Sequence, residues 1–264
     1  MSPSKQRYIS EDLIHFVGRG LSEMDQFDLL QKIIKEGRIT HPPHNPNVQG
    51  NLTINGNVAL SKNEMYSPEI TCFADIPQGD IELHIAKYSP FGLSFSKNAI
   101  AASGGVPVHY LPVDAMVVAK KIKIEKLKNN FAPNHNLDLA VPTSGSISKG
   151  QYFDRMVAEY QDIFALFEQM AIHFDQSSSS GSLQIRLREL SRFFDFHIFS
   201  YLKFFDHKKV DDDPDNFYFE REWRIVGNFE FSSNDIKTVY LPKKFAKDFY
   251  ASHSSFCGQV FFTD

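Results

Sequence analysis

One segment constrains this chain more than any other: Phe217-Tyr218-Phe219-Glu220-Arg221-Glu222-Trp223-Arg224-Ile225-Val226. Aromatic and aliphatic side chains of strand-forming type surround two carboxylates and two guanidinium groups, and Trp223 is the only tryptophan. Read as a strand, the segment puts Glu220, Glu222 and Arg224 on one face, and Arg221 and Trp223 on the other. Charged groups on a core strand are costly unless they are paired or used. The segment therefore reads as the wall of a site that presents two carboxylates. The plainer reading is an edge strand carrying cross-strand ion pairs.

The rest of the chain supports an α+β fold. Leu13 to Val17 reads as a strand and is followed by Gly18-Arg19-Gly20. Ser22 would cap a helix whose apolar positions Phe27, Leu30, Ile33 and Ile34 repeat at helical spacing, with Gly37 as its stop. Residues 38–68 are rich in Asn, Pro and Gly and read as a long loop. Short strands follow at Ile70 to Asp75, Phe91 to Ser96 and Val106 to Leu111, with a short helix over Gly79 to Tyr88. Residues 151–175 and 183–206 carry helical periodicity, joined by the Ser-rich linker 176–181, and predict a helical hairpin. Strands return at 217–226, 228–232, 236–241 and 258–262, with a short helix near 243–251. Neither strand-rich part has enough strands alone, so the two are expected to form one split-sheet core. The expected organisation is a single domain, 1–264, with its core in 8–112 and 214–264 and a helical insertion over about 115–207.

Composition excludes some function classes. The net charge of −4 gives no global basic field for coating nucleic acid. Two cysteines, Cys72 and Cys257, supply neither a disulfide framework nor a CxxC metal signature. The amino-terminal residues lack an apolar signal region and no run is long enough to cross a bilayer, so a cytoplasmic protein is expected. His41-Pro-Pro-His44 has a spacing zinc can use, but no cysteine lies close. Asp211, Asp212, Asp213 and Asp215 lack the glycine and terminal glutamate of a calcium loop, so no metal site is expected. Five lysines between Lys120 and Lys128 read as a protected edge strand or exposed helix face, or else as a phosphate contact.

Three polar features fall on or beside expected core strands: His15, the pair Ser94 and Ser96, and the pair Glu220 and Glu222. An imidazole, hydroxyls and paired carboxylates suit the holding of a ribosyl group while its glycosidic bond breaks, because that transition state is positive. The motifs HFVGRG, TCFADIP, KYSPFGLSFSK, GGVPVHY and FYFEREWRI, in that order, resemble the AbiGi family of abortive phage-infection proteins. That family is in turn similar to the broader ADP-ribosyltransferase-like group. The resemblance implies a split mixed or antiparallel sheet of ADP-ribosyltransferase type and NAD+ as substrate. It makes His15 the grip on the NAD ribose or phosphate, with Arg19 a nearby option, and places Ser94 and Ser96 at the nicotinamide pocket. Phe16, Tyr88 and Phe91 would flank the cofactor. Glu222 would stabilise the oxocarbenium, Glu220 would orient or deprotonate the acceptor, and Arg224 would orient a glutamate.

Two functions follow from it. The first is an NAD-dependent ADP-ribosyltransferase toxin of phage defence, with a nucleic acid (RNA or DNA) or protein acceptor and a neutralising antitoxin protein as partner. The alternative is a catalytically inactive binding module of the same fold, serving as antitoxin or phage sensor. A metal-assisted nuclease built on Glu220, Glu222 and an aspartate ranks last, for want of a second carboxylate cluster.

Overall fold

The computed structural model describes residues 10–41, 50–117, 147–174, 181–210, 213 and 216–264. The expectations for Lys120 to Lys128, His44, Asp211, Asp212, Asp215 and most of the Ser-rich linker lie outside the described residues. In chain order the strands are β1 (Asp12–Phe16), β2 (Arg38–Ile39), β3 (Leu52–Ile54), β4 (Tyr66–Pro68), β5 (Ile70–Ala74), β6 (Gly92–Ser96), β7 (Val106–Pro107), β8 (His109–Pro112), β9 (Met116–Val117), β10 (Ile147–Ser148), β11 (Leu202–Phe205), β12 (Glu222–Val226), β13 (Phe229–Glu230), β14 (Ile236–Leu241) and β15 (Gln259–Phe262). The α-helices are α1 (Glu23–Glu36), α2 (Glu82–Lys87), α3 (Lys97–Ala102), α4 (Lys149–Phe174), α5 (Gly181–Arg192) and α6 (Ala246–Ser252).

The main sheet has seven strands in the order β15-β14-β6-β1-β5-β12-β7. Strands from both ends of the chain interleave in it: β14 pairs β6, and β12 pairs β5. Only β14 and β15 are parallel, so the sheet is mixed. β1 pairs β6 over five residues but meets β5 only at Ile14 and Ala74. Beyond that point the two strands part, and the His15 imidazole Nδ1 bonds the Cys72 carbonyl at 2.9 Å in place of a backbone rung. The parting opens the sheet where the site sits.

One face of the sheet is covered by α1, whose Phe27, Leu30, Ile33 and Ile34 pack on Leu13, Phe73, Leu93, Phe95 and Val239. Ser22 caps α1 by accepting from the Asp25 amide, and Gly37 ends it in the left-handed region. A Cβ at Gly37 would meet the Phe231 carbonyl oxygen at 2.6 Å, so glycine is required there on two counts. The opposite face carries Ile14, Phe16 and Tyr240, with Ile81 and Ile85 from around α2.

Four expectations are corrected. The 38–68 stretch is not structureless: it holds β2 and an antiparallel β3–β4 pair. The expected strand over Val106 to Leu111 breaks at Val108, whose amide bonds the Glu222 carbonyl, and its halves enter different sheets. The expected strand 217–226 begins only at Glu222. Phe217–Glu220 is a 3-10 turn, and Arg221 turns the chain with φ of 38°, a conformation rare for residues other than glycine. The Arg221 side chain supports that turn by donating to the Asp75 carbonyl at 2.9 Å. Finally, the second long helix stops early. After α5 the chain passes through a π turn (Phe193–Ile198) and a 3-10 turn (Phe199–Tyr201) into β11. There Leu202 and Phe204 alternate with Lys203, and the buried Phe204 joins a second core with Leu60, Met65, Tyr66 and Val157. β11 pairs β8 in parallel, and the Asn63 amide brackets the Phe204 backbone, accepting at 2.7 Å and donating at 2.8 Å.

Candidate functional site

A cavity of about 490 Å³ opens where β1 and β5 part. Phe16, Tyr66, Tyr88 and Phe199 supply its rings, and His15, His41, Asn63, Lys203, Glu220, Glu222 and Arg224 its polar groups. Arg19 stands at the rim with its guanidinium over the Tyr88 ring at 5.1 Å. Tyr88 stacks on Phe16, with centroids 5.6 Å apart, which fixes an aromatic wall.

Along β12 the alternation is as the residue pattern requires. Trp223 and Ile225 pack on the α1 side, while Glu222 and Arg224 face the cavity. Arg224 grips Glu222 with two bonds, Nε to Oε1 at 2.7 Å and Nη2 to Oε2 at 3.2 Å. It also donates to the Ser200 carbonyl. The Glu222 amide donates to the Tyr110 hydroxyl at 2.7 Å. Lys203 reaches in from β11 and bonds Glu222 at 2.6 Å and Glu220 as well. Glu220 also accepts from Lys87 at 2.8 Å and from the Tyr88 hydroxyl. Glu220 comes from the 3-10 turn, so Lys203 unites the two acids rather than a shared pleat.

Electrostatics follow from this network. Burial alone would raise the Glu222 carboxyl, but Arg224 and then Lys203 overcome it and hold it at about 2. Burial likewise works against ionised Glu220, and Lys203, Lys87 and Tyr88 bring its carboxyl below the usual range. Burial opposes a charged Lys203, yet Glu222 and Glu220 raise it above the usual lysine value. The Tyr88 hydroxyl is pushed far up by burial and by Glu220. The Cys72 thiol, on the cavity wall, is pushed up by burial and then by Glu222. Both carboxylates are thus ionised and held by cations. Arg19, Lys203 and Arg224 on the wall outnumber Glu220 and Glu222, leaving a cationic surplus.

Among the residues singled out from sequence, His15, Phe16, Arg19, Tyr88, Glu220, Glu222 and Arg224 line this cavity together. Phe91, Ser94 and Ser96 do not. Phe91 is fully buried against Phe27 and Phe245 in the α1 core. Ser94 is fully buried within β6, paired with Ile14 and Thr238. Ser96 caps α3 by accepting from the Ala99 amide at 3.2 Å. Sequence reasoning missed Lys203, Tyr110 and Lys87. The sign of Lys203 was the two-residue alternation in Leu202-Lys203-Phe204, which lay hidden at the tail of a stronger helical pattern. Among the described residues, Asp114, Asp206 and His207 form the one grouping with metal-ligand spacing; Lys208 already occupies Asp114 at 2.8 Å.

A family model described as "Putative abortive phage resistance protein AbiGi, antitoxin" matches residues 53–254, well over half of the chain. The chain belongs to the AbiGi family. The AbiGi match runs from β3 through α6, so Tyr88, Lys203, Glu220, Glu222 and Arg224 fall inside it, and β1 with His15 falls outside. No curated protein and no solved structure matches the chain. The AbiGi description as an antitoxin overturns the expectation of an ADP-ribosyltransferase toxin, and with it that of an antitoxin protein as the partner. No helix among the described residues is long and apolar enough to cross a membrane.

Proposed function

We propose that the chain is the antitoxin of an abortive phage-resistance system, and that it works as a binding module whose partner is a toxin. The observation that carries this reading is the state of the two acids. Each is ionised, buried and held by at least two donors from Lys87, Tyr88, Lys203 and Arg224. Arg224 and Lys203 neutralise the Glu222 charge that a developing oxocarbenium would need, and Glu220 spends its oxygens on three side chains. Such a network instead rigidifies a wall and fixes the shape of a pocket.

The pocket suits a planar ring carrying negative charge. Tyr88, Phe16, Tyr66 and Phe199 line it with aromatic surface, and Arg19 with the cationic surplus offers a place for phosphate. NAD, the ligand implied by the ADP-ribosyltransferase resemblance, has that chemistry and serves as the first probe. Its role here is that of a bound signal for the antitoxin.

Growth assays test the antitoxin reading. Expression alone is expected to leave growth unchanged, and co-expression is expected to rescue cells from the toxin of the same system. Growth arrest by the chain alone, or failure of rescue, would overturn it. Glu222→Gln tests the wall role: Tm and rescue are expected to fall together, and rescue kept despite a lower Tm would show that the pocket wall is not needed for neutralisation.

A further inference from the structure

We infer that the α4–α5 hairpin is coupled to the cavity through the π and 3-10 turns of 193–201, so that a bound ligand sets the register of those turns and with it the hairpin, a coupling that rests on the pocket being the ligand site proposed above. Two lines of contact make the connection. The first is polar and starts at Arg224, which these turns hold at both ends. The Ser200 carbonyl accepts from its guanidinium, and the Tyr201 hydroxyl donates to its backbone carbonyl at 3.5 Å. The buried Ser200 hydroxyl donates in turn to the Asp195 carbonyl at 2.6 Å. The Asp195 carboxylate accepts from Ser191 of α5 at 3.0 Å, and the Ser191 hydroxyl accepts from Tyr160 of α4 at 3.2 Å. The second line is made of rings. Phe199 lies 5.2 Å from Tyr66, its neighbour on the cavity wall, and 5.1 Å from Tyr160. Both lines end on Tyr160, which is outside the cavity.

The joint has two registers within reach. Phe193–Ile198 is a π turn, a form that occurs as single turns within helices and often at functional sites. The Phe199 amide that closes it is shared between two acceptors, the Phe194 carbonyl five residues back and the Asp195 carbonyl four residues back. The first bond belongs to π geometry and the second to α geometry, so one hydrogen bond separates the two. A change of one residue in register turns the chain that follows by about 100° and shifts it by about 1.5 Å. It would withdraw the Ser200 carbonyl from Arg224 and the Phe199 ring from Tyr66. A ligand that touches Phe199 and the Arg224–Glu222 wall favours the register that presents both, by its difference in affinity for the two states.

Amide hydrogen exchange on the full chain tests the coupling, with NAD as the probe. Saturating NAD is expected to slow exchange in α5 and the π turn by about fivefold or more, the equivalent of one net hydrogen bond, and Ser200→Ala is expected to remove that effect. By linkage, Tyr160→Phe should weaken NAD binding by a similar factor, although it removes only a hydroxyl outside the cavity. A second readout needs no ligand. Cys72 lies on the cavity wall, paired with Arg224 across β5 and β12, so its thiol reports on that wall. In a Cys257→Ser background, which removes the exposed cysteine, Tyr160→Phe and Ser200→Ala are each expected to speed thiol labelling of Cys72 by about fivefold. Phe249→Ala, a change in the α1-side core away from both lines, is the control for general destabilisation and should leave labelling near the wild-type rate. NAD that raises Tm yet leaves hairpin exchange unchanged would overturn the coupling and spare the pocket. NAD that fails to raise Tm would remove the ligand reading, and labelling then decides alone. Unchanged labelling in both variants, or an equal rise in Phe249→Ala, would overturn the coupling.

Discussion

The sheet core and the helical hairpin are both rich in aromatic side chains, yet they bury them to different degrees. Phe73, Phe91, Phe95 and Phe249 are sealed between the sheet and its helices, and several meet edge to face. On the hairpin, Tyr160, Phe164, Phe194 and Phe199 make one packed seam, while Phe167 and Phe193 beside them stay exposed. The core is finished within one chain and the hairpin is not. The cavity lies where the two regions meet. The sheet contributes Glu222, Arg224 and Cys72, and the chain leaving the hairpin contributes Phe199, Leu202 and Lys203. A stable scaffold thus supplies one wall of the site, and the element with an unfinished surface supplies the other.

Substitutions in each region sharpen this contrast. Phe73→Ala removes a ring that meets Phe95 and Phe229 edge to face, and is expected to cost about 3–5 kcal/mol in urea unfolding. A loss near zero would mean that the sheet core is as loosely packed as the hairpin face. At the joint, Arg224→Ala leaves Glu222 buried with one of its two cations, for an expected loss of about 3 kcal/mol. Acid probes the same joint. The folded Glu222 carboxyl at about 2 lies below its ordinary 4.5, so its contribution is present above about pH 4.5 and is lost as pH falls toward 2. The linked stability is on the order of 3 kcal/mol, and the acid slope of unfolding should flatten in Glu222→Gln. Lys203 works at the other end of the scale. Its raised value means that its contribution holds below its usual 10.5 and is lost as pH rises through the raised value. The smallest effect belongs to the hairpin. Met170→Ser should change the stability of the dilute chain by about 0.5 kcal/mol or less. A larger loss would show that the exposed stripe is already covered within one chain.

Much of the fold was legible because local rules agreed with one another. Ser22, the spacing of Phe27, Leu30, Ile33 and Ile34, and Gly37 all specify one helix, and the structure has it over Glu23–Glu36. Leu13 to Val17, read as a strand, and Phe91 to Ser96, with its alternating serines, are adjacent in the sheet. Alternation in 217–226 was legible only from Glu222 onward, because the left-handed Arg221 resets the phase and periodicity carries no sign of a single reversed φ. The site was legible where a charged residue interrupts a strand, as with Glu222 and Arg224. It was illegible where a residue serves ordinary local chemistry, as Ser96 does in capping α3.

By itself, the order of residues determined which segments bury an apolar face and that the acids of 220–222 had to find partners, since burying a charge without one is costly. Tertiary structure alone decided who those partners are. Lys203 reaches Glu220 and Glu222 because Phe204 is drawn into the second core and pulls Leu202–Phe205 out of helical register into a strand. Burial of a neighbouring ring, summed over contacts distant in the chain, outweighed a local helical preference that amounts to tenths of a kcal/mol per residue.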